Sequence, residues 1–308
     1  MSKEPRRGLS GWLSDTALDH LREAADQPDL AGTPYEIVET LWRGGMGTVY
    51  LARDQDLDRE VALKVVDTGS DLAERTVREA RILARLEHPG IVPVHDVGTL
   101  SDGRVFYVMK RVRGRRLDEL APTLDLAERL RVFGRICEAV SFAHAHGVIH
   151  RDLKPENIMA GPFGEVLVMD WGVAQDGGLP DADGTILGTP GYMAPEQARG
   201  DVASIDERTD VWALGAILGF LLAGEERVAR PLSAIRCRAM ADAPVERYQT
   251  VEDLAADLFR YGSGLAVHAY RENLAERTVR FVRRYRVPIL LILTYLLMRA
   301  LLLVIFHR

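Results

Sequence analysis

The chain has only 2 cysteines among 308 residues, Cys137 and Cys237, and they form no CxxC pair. That excludes a disulfide-stapled scaffold and a cysteine-rich zinc site, and both thiols read as reduced core residues. The 8 histidines form no HExxH pattern, which removes the common catalytic zinc arrangement. Basic residues are not in excess: 39 Lys and Arg stand against 45 Asp and Glu, a net charge of −6. Nucleic acid is therefore not an expected partner, since phosphate contacts need clustered Lys and Arg. Internal repeats and low-complexity tracts are missing. Arg6-Arg7 is followed by no apolar core, because Asp15, Asp19 and His20 interrupt it, so no export signal is expected. Residues 1–34 read as a flexible leader, with one short helix around Ala17–Ala25.

What is present fits a globular protein, with 47% hydrophobic and 27% charged residues. From Tyr35 the pattern is short apolar runs. Glu36–Glu39 and Val49–Ala52 make a hairpin around a glycine-rich turn, Val61–Val66 is another strand, Ala73–Leu86 favours helix, and Val105–Met109 is a further strand. The second half is helical. Thr123 or Asp125 can cap a helix in which Leu126, Leu130, Phe133, Ile136, Val140 and Ala143 recur at helical spacing, with Gly147 as its stop. Val211–Gly224 is apolar nearly all round and reads as a buried helix. The fold class is α+β, a β-rich lobe followed by an α-helical lobe, with a cleft expected between them and a hinge near Gly114.

The chemistry concentrates in HRDLKPEN, His150–Asn157. A carboxylate (Asp152), a cation (Lys154) and an amide (Asn157) within six residues suit holding a hydroxyl nucleophile, a phosphate and a divalent metal together. Upstream stand RGGMGTVY and VALK, and downstream stand DWG and APE, in the order that a protein kinase requires. On these residues, from about Tyr35 to about Gly264, the chain resembles the eukaryotic-like serine/threonine protein kinases of bacteria.

The resemblance implies a two-lobed protein kinase domain over 35–264, with the β-rich lobe to about residue 112. It also implies Mg²⁺ and ATP as cofactors. Asp152 is then the catalytic base and Lys154 the residue that neutralises the transferred phosphate. Asn157 and Asp170 are the metal ligands. Trp42, Gly44, Gly45, Gly47, Val49, Ala62, Lys64, Glu79 and Met109 form the nucleotide site. Glu79, rather than its neighbour Glu74, is the expected partner of Lys64. Trp42 stands where the family pattern has its first glycine, and Trp171 where it has phenylalanine. GTPGYMAPE resembles a peptide-receiving segment, so the expected partners are proteins with Ser/Thr acceptors, this chain included through autophosphorylation. Homodimerisation is a further arrangement that remains open. Thr185 is the expected activating phosphate acceptor facing Arg151, and Thr189 is expected to touch the catalytic loop. Glu196 with Arg247, and Asp210, read as scaffold. The alternative is a pseudokinase-like ATP-binding scaffold, suggested by Trp42 and by the short connection at 225–231. A small-molecule kinase is a third reading.

Residues 265–286 form a basic segment. Val287–Phe306 then spans 20 residues, about 30 Å as a helix, with 14 Leu, Ile, Val or Phe. Their insertion is favourable by about 4 to 8 kcal/mol against about 3 for Arg299. A transmembrane helix is expected here. Arg277, Arg280, Arg283, Arg284 and Arg286 ahead of it would place the catalytic domain in the cytoplasm at the cell membrane.

Overall fold

The computed structural model describes residues 27–44, 47–66, 70–171, 175–176 and 188–306. The helix expected at Ala17–Ala25 lies outside them. The chain divides into two compact units. One runs to Ala80 and includes Val94–Arg111; the other comprises Arg81–Pro93 and everything from Val112 onward.

The first unit is an antiparallel sheet of order β1-β2-β3-β5-β4, formed by β1 (Tyr35–Gly44), β2 (Gly47–Asp54), β3 (Arg59–Val66), β4 (Val94–Thr99) and β5 (Val105–Lys110). Helix α1 (Ser70–Arg85) follows β3. Strand side chains alternate between faces. Tyr50, Ala52, Val61, Leu63, Val65, Phe106 and Val108 form an apolar core on one face, closed by Tyr35 and Leu100. The other face carries Val49, Ala62, Lys64, Tyr107 and Met109, held in register by Val49 opposite Lys64, Lys64 opposite Tyr107, and Ala62 opposite Met109. The β1–β2 turn depends on Gly47. Its φ is +118°, and a Cβ there would lie 2.3 Å from the Val65 carbonyl oxygen.

The second unit is mainly helical. Short strands β6 (Arg115–Arg116), β8 (Ile158–Ala160) and β9 (Val166–Val168) form one small sheet, and β7 (Val148–Ile149) pairs with β10 (Gln175–Asp176). After a single-turn α2 (Leu117–Leu120), helix α3 (Leu126–Ala145) opens with a capping box. Asp125 accepts from the Glu128 amide at 2.7 Å and Glu128 accepts from the Asp125 amide at 3.0 Å. It buries Phe133, Ile136, Cys137, Val140 and Ala143 and is followed by Gly147 at φ +74°. After α4 (Pro195–Ala198), the largely buried α5 (Glu207–Leu221) packs against α3, α6 (Arg230–Ala239) and α7 (Val251–Gly262). Helices α8 (Leu274–Arg284) and α9 (Arg286–Phe306) complete the described chain.

Two expectations need correction. Cys137 is buried, but Cys237 is exposed, because it lies on the outer side of α6, whose buried residues are Leu232, Ile235 and Ala239. The membrane span over Val287–Phe306 is also overturned. Among the described residues no helix is long and apolar enough to cross a membrane. Helix α9 also carries two arginines, Arg286 and Arg299, and a charged side chain is costly within a bilayer core. The anchoring and the orientation argued from the flanking arginines lapse with the span.

Candidate active site

Within the first unit, Lys64 is 5% exposed and Glu79 3%. The Lys64 ammonium donates to Glu79 Oε2 at 3.1 Å and Oε1 at 3.3 Å. The Tyr107 hydroxyl donates to the same Glu79 Oε1 at 2.8 Å, and Lys64 Nζ lies 5.5 Å from the Tyr107 ring. Burying a lysine is costly unless it is paired and hydrogen-bonded; Glu79, not Glu74, supplies the pairing, and β5 fixes the carboxylate from the other side. The family resemblance of the run Glu79–Val92 led to Glu79. Tyr107 gave no signal, because it comes from a strand that is distant in sequence. Ala62 and Met109 are buried beside Lys64, Val49 is half-buried, and Trp42 is exposed. Gly45 lies outside the described residues.

Within the second unit, His150–Asn157 makes a tight polar loop. Lys154 Nζ donates to Asp152 Oδ2 and to Thr189 Oγ1, each at 2.7 Å, and the Thr189 hydroxyl donates to Asp152 Oδ1 at 2.8 Å. Asn157 Nδ2 donates to the Asp152 carbonyl oxygen at 2.9 Å. That bond directs the amide oxygen of Asn157 the other way, as a metal ligand requires.

The loop is held by Asp210, which is fully buried. Its Oδ2 accepts from the His150 amide at 2.8 Å and its Oδ1 from the Arg151 amide at 2.9 Å. Burial alone would raise the Asp210 pKa, but donation from His144 and the loop amides wins and holds it below the usual carboxylate range. His144 Nε2 lies 2.8 Å from Asp210 Oδ2. Arg151 adopts φ +69°, a conformation that a β-carbon disfavours and that surrounding contacts must hold. Gln197 supplies one such contact by donating to the Arg151 carbonyl at 2.8 Å. His150 Nε2 lies 3.0 Å from the Met169 carbonyl, and its Nδ1 accepts from the Asp152 amide at 3.3 Å. A proton on Nε2 satisfies both contacts. His144 and Gln197 were not foreseen, since neither belongs to a motif and each acts through a long-range contact.

Asp170 follows β9 at φ +58° and is half-buried. Trp171 is 1% exposed, lies 4.5 Å from the His150 ring, and donates its indole N–H to the Val168 carbonyl at 3.2 Å. Among the described residues no group of three His, Cys, Asp or Glu could cage a metal by itself. The donor set nevertheless suits Mg²⁺, which is usually held by one or two carboxylates with substrate phosphates and water. Glu196 and Arg247 pair at 2.7 Å as scaffold, and Thr209 also donates to Glu196 at 3.1 Å. Thr185 lies outside the described residues. A groove of about 1560 Å³ between α3, α7 and α8 contains none of these groups.

A buried Lys–Glu pair in a glycine-turn sheet, together with an Asp–Lys–Asn loop braced from a buried helix, defines the apparatus of a protein kinase. The chain belongs to that family: the protein kinase domain family matches residues 35–259. Among curated proteins it is similar to the serine/threonine-protein kinase PknD of Chlamydia caviae, 37% identical over 293 residues covering 75% of this chain and 31% of that protein. It is also similar to PknB of Mycobacterium leprae, 36% identical over 272 residues covering 75% of this chain and 43% of that protein. The chain thus spans less than half the length of these curated relatives.

Proposed function

We propose that the chain is a serine/threonine protein kinase that transfers the γ-phosphate of Mg-ATP to Ser and Thr hydroxyls of proteins, itself included. The observation that carries this reading is the triangle of Lys154, Asp152 and Thr189, with its bonds of 2.7 to 2.8 Å. Phosphoryl transfer depends mainly on positioning and charge compensation. Asp152 is placed to accept the proton of a substrate hydroxyl as its oxygen forms the new bond to phosphorus and the bond to the departing ADP breaks. Lys154 offsets charge on the transferred group, and Lys64, fixed by Glu79, offsets charge on the remaining phosphates. Asn157 and Asp170 are the residues that would hold Mg²⁺, whose charge compensates the triphosphate. The purine is assigned to the apolar face with Val49, Ala62 and Met109. The cysteines, neither in a disulfide, fit a cytoplasmic site of action, where ATP is available.

Autophosphorylation at Thr185, with Arg151 as the charge partner of the phosphate, is part of the proposal. Incubation of the purified chain with labelled Mg-ATP and a generic basic protein tests it. Label should enter both, chiefly at Thr185 in the chain, and Lys64→Met and Asp170→Asn should abolish it. Nucleotide binding without any transfer would instead establish a scaffold, the reading that the placement of Trp42 favours.

A further inference from the structure

Trp42 is aimed by a fault in the sheet. Along β1, Thr40 pairs with Tyr50, whose side chain enters the apolar core. In a regular strand Trp42 would share that face. The register slips between Thr40 and Trp42, so that Leu41 is the extra residue and Trp42 pairs with Val49. Such bulges re-aim side chains. Val49 pairs with Lys64, so the slip moves the indole to the face that carries the ammonium. There the six-membered ring lies on Gly44: a β-carbon at Gly44 would come within 1.9 Å of Trp42 Cη2 and 2.3 Å of Cζ2. The absence of a side chain at Gly44 is what lets the indole settle there, with 48% of Trp42 still exposed.

We infer that Trp42 is a specificity-determining residue that competes with the nucleotide for the surface of Gly44. The inference rests on the kinase reading above. In that reading a glycine turn admits polyphosphate because its backbone is bare. Here the indole covers part of that backbone and must swing away before a triphosphate can approach, so affinity is set partly by the cost of displacing it.

Titration calorimetry of the whole chain with the non-transferable β,γ-imido analogue of ATP and Mg²⁺ tests this. Trp42→Gly should bind about 3- to 10-fold tighter than the parent, the scale of moving one side chain out of its rotamer well. Trp42→Phe, with a smaller ring and little risk to folding, should fall between them. Equal or weaker binding by both variants would overturn the inference, since the indole would then be neutral or would support the base. A Lys64→Met variant separates the two levels of the argument. If it weakens binding in parent and Trp42→Gly alike while those two bind equally, the nucleotide site stands and the role of Trp42 is refuted. If neither parent nor Trp42→Gly binds, both readings are refuted.

Discussion

Glu196 and Arg247 meet through two parallel hydrogen bonds of 2.7 Å, with 1% of each residue exposed. Arg247 also donates to the carbonyls of Ala241, Arg208 and Asp242 at 2.8 to 3.1 Å and lies 5.1 Å from the Trp212 ring. Truncating one partner strands a buried charge. Arg247→Ala should cost about 3–5 kcal/mol in urea unfolding, whereas replacing both residues by apolar groups of similar volume should cost much less.

Thr189 ties the segment before α4 to the His150–Asn157 loop through Asp152 and Lys154. Thr189→Ala should lower kcat by about 10- to 100-fold through misplacement of those two groups. Thr189→Ser keeps the hydroxyl and should retain most activity. Steady-state kinetics on a protein substrate would check both, and full activity in the alanine variant would remove Thr189 from the apparatus.

Burial alone would lower the pKa of His144, but its bond to Asp210 and the negative charges of Asp210, Glu207 and Glu252 prevail and raise it. The folded chain therefore holds this proton at pH values where the unfolded chain has lost it. The resulting stabilisation is complete below the unfolded value of about 6.5 and fades as pH climbs through the raised folded value. The urea midpoint should decline with pH over that range, and His144→Asn should flatten the decline. An unchanged slope in the variant would contradict the assignment.

Gly47→Ala should destabilise the first unit by at least about 1–3 kcal/mol, because alanine resists φ +118° and its methyl group would strike the Val65 carbonyl. Chemical unfolding would measure this directly.

Asp257 is fully buried and accepts from the Tyr248 hydroxyl at 2.8 Å, the His268 amide at 2.8 Å and the Ala269 amide at 2.9 Å. Asp257→Ala leaves these donors unpaired at about 1–3 kcal/mol each. Limited proteolysis should then cut the 265–273 connection several times faster than in the parent.

What could be read from the chain alone was local. His150–Asn157 brings its functional groups together within eight residues, so their chemistry was visible before any fold was known. Glu79 was reachable because the helix after β3 offers Glu74 and Glu79 to Lys64, and the family resemblance of Glu79–Val92 chose between them. Asp210 was legible only through the family resemblance of the run that begins at Asp210. Tyr107, His144 and Gln197 were hidden, since each owes its role to a partner 28 to 66 residues away. The aim of Trp42 was hidden too, because a strand bulge leaves no period-2 signature. Cys237 was misjudged because an apolar residue type does not reveal which side of α6 faces inward.

A single oxygen of Asp210 takes both the imidazole of His144, near the end of α3, and the amide of His150 in the loop. Loosening either neighbour slackens the grip on the other. Losses from substitutions at these three positions will therefore not sum: once Asp210 is gone, changing His144 as well should do little additional harm.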